Sequence, residues 1–161
     1  MKALQPHCHK RRRIVELSQA GSPSNEHAAT ESAGFHDLLG YRLVSLHENE
    51  AVIELVLESR HLNRSGVVHG GVLMSLLDIV MADAGLQCPD PERVRRALTL
   101  SLTTTFTGQC SGGVIRAIGV KRAGGRRIFN SSGEIRDQQG QLLAMGEGTF
   151  RLRSGSEDAV S

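Results

Sequence analysis

Residues 69–86, HGGVLMSLLDIVMADAGL, form the longest helical pattern in this 161-residue sequence. At 100° per residue, six apolar side chains share one broad face, which predicts a helix over Gly70–Leu86 that packs on a sheet. These six are Leu73, Leu76, Leu77, Val80, Met81 and Ala84. A second stripe holds one carboxylate, Asp78, among four small residues, and it predicts close approach by a ligand or a neighbouring subunit. The small residues are Gly71, Ser75, Ala82 and Gly85.

Apolar, β-branched segments separated by turn signals lie on both sides of this helix. Before it, a short helix over Phe35–Leu39 ends at Gly40, and a hairpin pattern joins Tyr41–Leu46 to Ala51–Leu57. A polar loop over Glu58–Val68 leads into the long helix. Four strands are predicted after it, namely Ala97–Phe106, Val114–Arg122, Arg126–Arg136 and Leu142–Arg153. This order predicts an α+β domain in which one long helix packs on an antiparallel sheet.

Composition divides the chain into a domain and two tails. Residues 1–32 are predicted to be a disordered arm, 33–153 a single folded domain, and 154–161 a frayed tail. The net charge is +2, and the basic excess lies in the arm, at Lys10–Arg13. A nearly neutral domain with only four Phe, one Tyr and no Trp argues against nucleic-acid binding.

Several other classes have no support in the sequence. No apolar run approaches the length of a membrane span, and Cys8, Cys88 and Cys110 form neither a disulfide framework nor a zinc motif. Phosphate-loop, dinucleotide-binding and GxSxG patterns are missing too. We therefore expect a cytoplasmic protein without a metal, a cofactor or a membrane partner.

The start of the long helix has features of an anion site. The first N–H groups of a helix lack internal partners and carry the positive end of its dipole, and glycine at Gly70 and Gly71 leaves them accessible. Asp78 lies about 12 Å further along the axis. On position alone, Asp78 fits a locally satisfied carboxylate as well as a catalytic one. His69 also fits a helix cap, and Asn63 also fits ordinary turn chemistry.

Taken together, the pattern Asn63-x-x-Gly66-x-x-His69-Gly70-Gly71-x₆-Asp78 resembles the signature of the hotdog-fold acyl-CoA thioesterases, in particular the PaaI-like family of phenylacetate metabolism. The resemblance covers about residues 35–153. It implies a curled antiparallel sheet around one long central helix, in agreement with the predicted order of elements.

The resemblance also implies roles for individual residues. Asp78 matches the acidic catalytic residue, a general base on water or a direct nucleophile, and Gly70 matches the N–H donor to the thioester oxygen. Asn63 and His69 match residues that hold the thioester and the water. Thr99 aligns with a Ser/Thr that reaches this water from the neighbouring subunit.

A shared site of this kind implies a homodimer, and commonly a tetramer of two dimers. The sequence departs from many relatives at Ser101 and Thr103, where they have Asp and Asn. The 32-residue N-terminal arm also lies outside the family core.

The candidate coenzyme A contacts are Gly71, at the open helix start, and three arginines around the turn at Gly124. These arginines are Arg122, Arg126 and Arg127. Guanidinium groups suit phosphate, although solvated turn residues are an equally good interpretation.

The predicted activity is hydrolysis of an acyl-CoA to a carboxylic acid and free CoA. Two alternatives stay open at this stage. One is a non-catalytic acyl-CoA-binding module, and the other is a hotdog dehydratase acting on hydroxyacyl thioesters. The HGG-then-Asp spacing speaks against the dehydratase.

Overall fold

The computed structural model describes residues 34–87 and 95–154. These residues form two α-helices, one 3₁₀ turn (Ser59–His61) and six strands. The helices are α1 (Phe35–Leu39) and α2 (Gly70–Leu86). The strands are β1 (Arg42–His47), β2 (Glu50–Val56), β3 (Ala97–Phe106), β4 (Val114–Gly124), β5 (Ile128–Arg136) and β6 (Leu142–Leu152).

The predicted elements are confirmed, with small shifts of their ends. Both helices have the predicted bounds, and α1 ends at Gly40, whose φ of 70° is a left-handed cap that glycine adopts without strain. β4 continues to Gly124 and β5 begins at Ile128, because the strands stay paired up to the glycine turn. The loop before α2 contains the 3₁₀ turn, which was not predicted.

All six strands lie in one antiparallel sheet with the order β1-β2-β4-β5-β6-β3. The chain therefore crosses the sheet between β2 and β3, and α2 provides that connection. β1 and β3 are the edge strands. Each has one side that is not hydrogen-bonded to any strand in the described part of the chain.

The apolar face of α2 packs on the concave side of this sheet. All six predicted core residues of the helix are buried, together with Ile79 and Gly85. Burial of each large apolar side chain stabilises the fold by about 1.5–3 kcal/mol, so this face holds the helix on the sheet.

A row of small residues lets the helix backbone approach the sheet. Ala51, Gly119, Gly133 and Gly146 pair with one another across β2, β4, β5 and β6. A Cβ atom on Gly119 would lie 2.6 Å from the carbonyl carbon of Val80. This close approach accounts for some of the 18 glycines in the sequence.

One member of the predicted small-residue stripe has a different role. Gly85 is buried within its own chain, where an added Cβ would overlap the ring of Phe129. Its lack of a side chain makes room for that ring rather than for a neighbouring subunit. Gly71, Ser75, Asp78 and Ala82 are exposed or partly buried, as the prediction requires.

The predicted arm, residues 1–32, lies outside the described residues, as do Cys8, Cys88 and residues 155–161 of the predicted tail. Cys110 is a half-buried free thiol. No helix within the described ranges has both the length and the apolar character needed to cross a bilayer.

Candidate active site

Asp78 and Thr99 form a hydrogen-bonded pair within one chain. Thr99 Oγ1 donates to Asp78 Oδ1 over 2.8 Å. The other carboxylate oxygen has no hydrogen bond to any residue in the described ranges, and the Asp78 side chain is only partly buried. The pair therefore presents an oriented carboxylate with one oxygen available to a water molecule.

A β-bulge directs Thr99 toward the helix. The pairing of β3 with β6 shifts register between Thr99 and Ser101, so Thr99 pairs with the buried Phe150 while Ser101 pairs with the partly exposed Thr149. Paired residues of antiparallel strands share a face, and the bulge therefore turns Thr99 to the helix side. Thr99 was expected to reach the site from the neighbouring subunit. This expectation is wrong for its contact with Asp78, because the two hydrogen-bonded residues belong to the same chain.

The start of α2 leaves one amide open. His69 is the N-cap, and its Nδ1 accepts the Gly71 N–H over 2.9 Å. Its carbonyl oxygen accepts the N–H groups of Val72 and Leu73. The Gly70 N–H has no hydrogen bond to a described residue, whereas that of the candidate CoA contact Gly71 is occupied by the cap.

This cap also determines how His69 is protonated. A nitrogen that accepts a hydrogen bond carries no proton, so the neutral imidazole has its proton on Nε2. That N–H makes no hydrogen bond within the described parts of the chain. His69 thus offers a second donor beside the open Gly70 amide.

Asn63 supports the loop with one side-chain atom and leaves the other free. Its Oδ1 accepts the N–H groups of Ser65 and Val67, over 2.8 and 3.3 Å. These two donors identify the oxygen of the side-chain amide, and its NH₂ group has no partner among the described residues. Asn63 therefore makes the turn, and its NH₂ group keeps donors available for the role that the resemblance implies.

His61, which the sequence pattern did not indicate, fixes this loop. The side chain is buried, its Nδ1 accepts the Glu58 N–H, and its Nε2 hydrogen-bonds the carbonyl of Leu39. The His61 carbonyl accepts the His69 N–H over 2.9 Å. This histidine ties α1 and the loop to the start of α2, a structural role.

The donor groups and the carboxylate lie at different positions along α2. Asn63, His69 and Gly70 are at its start, and Asp78 is two turns further on, about 12 Å along the axis. A base that activates water and a donor that binds the carbonyl oxygen must act on adjacent atoms. Within a single chain, these two groups do not converge on one thioester.

The three predicted arginines separate into two locations. Arg122 Nε donates to Ser132 Oγ over 2.6 Å, on the sheet face opposite α2, where both residues line a groove of about 610 Å³. Arg126 and Arg127 are exposed in the β4–β5 turn and have no side-chain partner among the described residues.

Three further arginines lie beside this turn and were not predicted. The Arg127 carbonyl accepts the Leu152 N–H, and the Arg96 carbonyl accepts the Arg153 N–H, while Arg151 pairs with Ile128. The side chains of Arg96, Arg151 and Arg153 are exposed and, like those in the turn, have no partner among described residues. Arg96 directly precedes β3, and Thr99 is the third residue of that strand. The arginine cluster therefore lies near the Asp78–Thr99 pair rather than near the start of α2.

A second carboxylate of α2, Asp83, lies outside this site. It is five residues from Asp78 and hence about 140° around the helix axis. Burial raises its pKa to about 6, although nearby His36 acts in the opposite direction. Burial, together with Asp83 and Asp37, raises the pKa of Tyr41 to about 12, and the Tyr41 hydroxyl is hydrogen-bonded to His36 Nδ1.

We expect Asp83→Asn to stabilise the protein at pH 8 by about 2 kcal/mol and to have little effect at pH 4. The folded state holds the Asp83 proton more tightly than the unfolded state, so stability decreases as pH rises from about 4 to about 6. Denaturant unfolding across this range measures the difference. Glu48→Gln, in an exposed turn, is the control, and an equal gain at both pH values would contradict the interpretation.

The fold is the hotdog fold, as predicted, with a curled six-stranded antiparallel sheet around one long helix. Comparison with known proteins identifies the molecule as a thioester hydrolase. The sequence model of the Thioesterase superfamily matches residues 65–144, which include the open helix start, Asp78 and Thr99. These 80 residues, just under half of the chain, are similar to this superfamily.

Individual relatives agree with this assignment. Human acyl-coenzyme A thioesterase 13 is 25% identical over 126 residues, 78% of this chain and 89% of that protein. The Escherichia coli PaaI protein of the phenylacetic acid degradation operon is 26% identical, with a TM-score of 0.66 over 75% of this chain and 85% of its own. A conserved Pseudomonas aeruginosa protein is 29% identical, with a TM-score of 0.67 over 75% of this chain and 94% of its own.

Proposed function

We propose that the protein hydrolyses acyl-CoA thioesters to a carboxylic acid and free CoA, with Asp78 as the catalytic acid–base residue. The observation that carries this proposal is the Thr99–Asp78 hydrogen bond, which orients the carboxylate and leaves its other oxygen without a partner among the described residues. The similarity to human acyl-coenzyme A thioesterase 13 supports CoA as the thiol.

Each active site is formed by two copies of the chain. The edge strand β3 has an unpaired backbone edge within the described residues and carries the exposed Leu98 and Leu100, so a second β3 could pair with that edge and cover apolar side chains. Antiparallel pairing about a twofold axis places the Ala97 end of one strand beside the Phe106 end of the other.

This pairing brings the two separated halves together. Phe106 packs against Gly70, and Thr99 binds Asp78, at opposite ends of the same strand. Gly70, His69 and Asn63 of one copy therefore meet Asp78 and Thr99 of the other. The resemblance also implies a tetramer of two such dimers, which remains a prediction for sedimentation analysis.

In the proposed reaction, the thioester oxygen binds the Gly70 N–H, and the free donors of His69 and Asn63 hold the ester and the water. Asp78 removes a proton as the water oxygen attacks the carbonyl carbon. The Gly70 N–H stabilises the oxyanion of the tetrahedral intermediate. When the C–S bond breaks, the thiolate leaves and takes the proton from Asp78, so the carboxylate is regenerated.

The arginine cluster binds the phosphates of CoA. Arg126 and Arg127 are proposed to keep their predicted role, and Arg96, Arg151 and Arg153 add three guanidinium groups that have no partner among the described residues. Arg122 is directed to Ser132 on the other face, so we leave it out of this subsite.

Release of thiol from a panel of acyl-CoA esters tests the proposal. The panel holds short, medium and long acyl groups, phenylacetyl and benzoyl, each also as the N-acetylcysteamine ester, which lacks the nucleotide. Hydrolysis of both series, with a lower KM for CoA, is the expected result. Tight acyl-CoA binding without turnover would instead indicate a binding module, and hydration of an enoyl ester would indicate a dehydratase.

Mixing two inactive variants is expected to restore about a quarter of wild-type activity, because half of the random dimers are mixed and each has one intact site. The variants are Asp78→Asn and Asn63→Asp, of which the second keeps the Oδ1 acceptor and loses the free NH₂ donors. The chains are unfolded together and refolded, then assayed. Activity that never exceeds the sum of the separately refolded variants would show that each chain holds a complete site.

A further inference from the structure

An exposed aromatic ring lies directly against the open helix start. Phe106, at the end of β3, is 50% exposed. A Cβ atom on Gly70 would be 3.4 Å from two carbons of its ring, so the ring covers the side of the glycine on which a side chain would project. In contrast, Phe129 and Phe150 are fully buried and stacked on each other in the core.

A second exposed apolar side chain continues this surface along the helix. Met74 is four residues after Gly70, one turn further on the same flank, and it is 40% exposed. Asp78 follows after four more residues. An apolar strip formed by Phe106 and Met74 thus begins at the open amide.

We infer that Phe106 determines acyl-group specificity, and this inference rests on the proposed function. A thioester whose oxygen accepts the Gly70 N–H has its carbonyl carbon within about 4 Å of that nitrogen. The first carbons of the acyl chain then lie beside the ring, which removes them from water. An acetyl group is too short to gain much from this contact, whereas a hexanoyl or phenylacetyl group covers the ring and reaches Met74.

The test compares kcat/KM for hexanoyl and acetyl thioesters in wild type and in Phe106→Ala. We expect the hexanoyl-to-acetyl ratio to fall at least about tenfold, with phenylacetyl behaving like hexanoyl. Phe106→Leu keeps part of the apolar surface, so its hexanoyl-to-acetyl ratio should lie between those of wild type and Phe106→Ala. Met145→Ala, which removes a 47% exposed apolar side chain from the opposite sheet face, should leave the ratio unchanged.

An unchanged ratio, or an equal loss on both esters, would overturn the inference and indicate a structural or interface role. Sedimentation of each variant shows whether the assembly is retained, and Phe106→Leu gives the answer if the alanine variant does not fold. The ratio is measured on CoA and on N-acetylcysteamine esters. A wild-type protein that hydrolyses neither series overturns the proposed function, whereas an active wild type with an unchanged ratio overturns only the role of Phe106.

Discussion

Asp78→Asn is expected to lower kcat by at least about 100-fold, the usual size of a general-base contribution. Asparagine has the same shape, and its Oδ1 still accepts the Thr99 hydroxyl proton, so the local structure is retained. Its amide nitrogen, however, does not take a proton from water. Because the substrate contacts lie elsewhere, KM should change little, and steady-state thiol release measures both constants.

A matched control for this variant lies on the same helix. Asp83→Asn makes the same chemical change about 140° around the helix axis, and it should keep kcat within about threefold. An Asp78→Asn enzyme that keeps most of its turnover would overturn the catalytic assignment.

An isotope experiment separates the two possible roles of Asp78. After a single turnover in H₂¹⁸O, a general base leaves Asp78 unlabelled, because the water oxygen goes directly into the acid product. Direct attack by the carboxylate forms an anhydride, and its hydrolysis at the Asp78 carbonyl introduces ¹⁸O into the side chain. Mass spectrometry of the peptide containing Asp78 detects this label, which the general-base route does not introduce.

Gly119→Ala is expected to destabilise the fold by more than about 3 kcal/mol, or to prevent folding. The new Cβ would overlap the Val80 carbonyl oxygen and lie 2.6 Å from its carbon and 2.9 Å from the Met81 nitrogen. These are backbone atoms of α2, and they do not move aside as a side-chain end does. The helix must lift off the sheet, which breaks core contacts along its length.

Two other glycines provide graded controls. At Gly133, the nearest atoms are side-chain carbons of Met81 and Leu77, at 3.0 and 3.1 Å, so alanine should cost less than at Gly119, where backbone atoms are closer. At Gly112, no atom lies within 4 Å, and alanine should be nearly neutral. Thermal unfolding ranks the three variants, and a Gly119→Ala protein that melts with wild type would contradict the interpretation of this contact.

Local pattern was enough to predict the elements of this fold. All six residues that the 100° periodicity of residues 70–86 assigned to the core are buried. The glycine-rich turns separated the strands as predicted. The order of strands in the sheet has no comparable local signal. It depends on which strands pair across long separations, and so the position of β3 at an edge appeared only in the structure.

The same limit applies to the site. Gly70, His69 and Asn63 are close in sequence and belong to one helix start, so the pattern and the resemblance indicated them together. Thr99 needs a one-residue bulge to face Asp78, and a bulge shifts the strand's alternation without a recognisable sequence signal. The arginine cluster combines three strand ends that are far apart in the chain. Only the arginines of the β4–β5 turn, Arg126 and Arg127, could be predicted from the sequence.

If each active site is shared between two chains as proposed, the distance of about 12 Å between Gly70 and Asp78 along one helix makes catalysis depend on protein concentration. In the proposed assembly, a lone chain carries every catalytic group but no complete site. Specific activity then follows the fraction of paired chains, which is set by the dimer dissociation constant rather than by the chemistry of the site. Dilution of the protein below that dissociation constant would therefore abolish its activity while each chain stays folded.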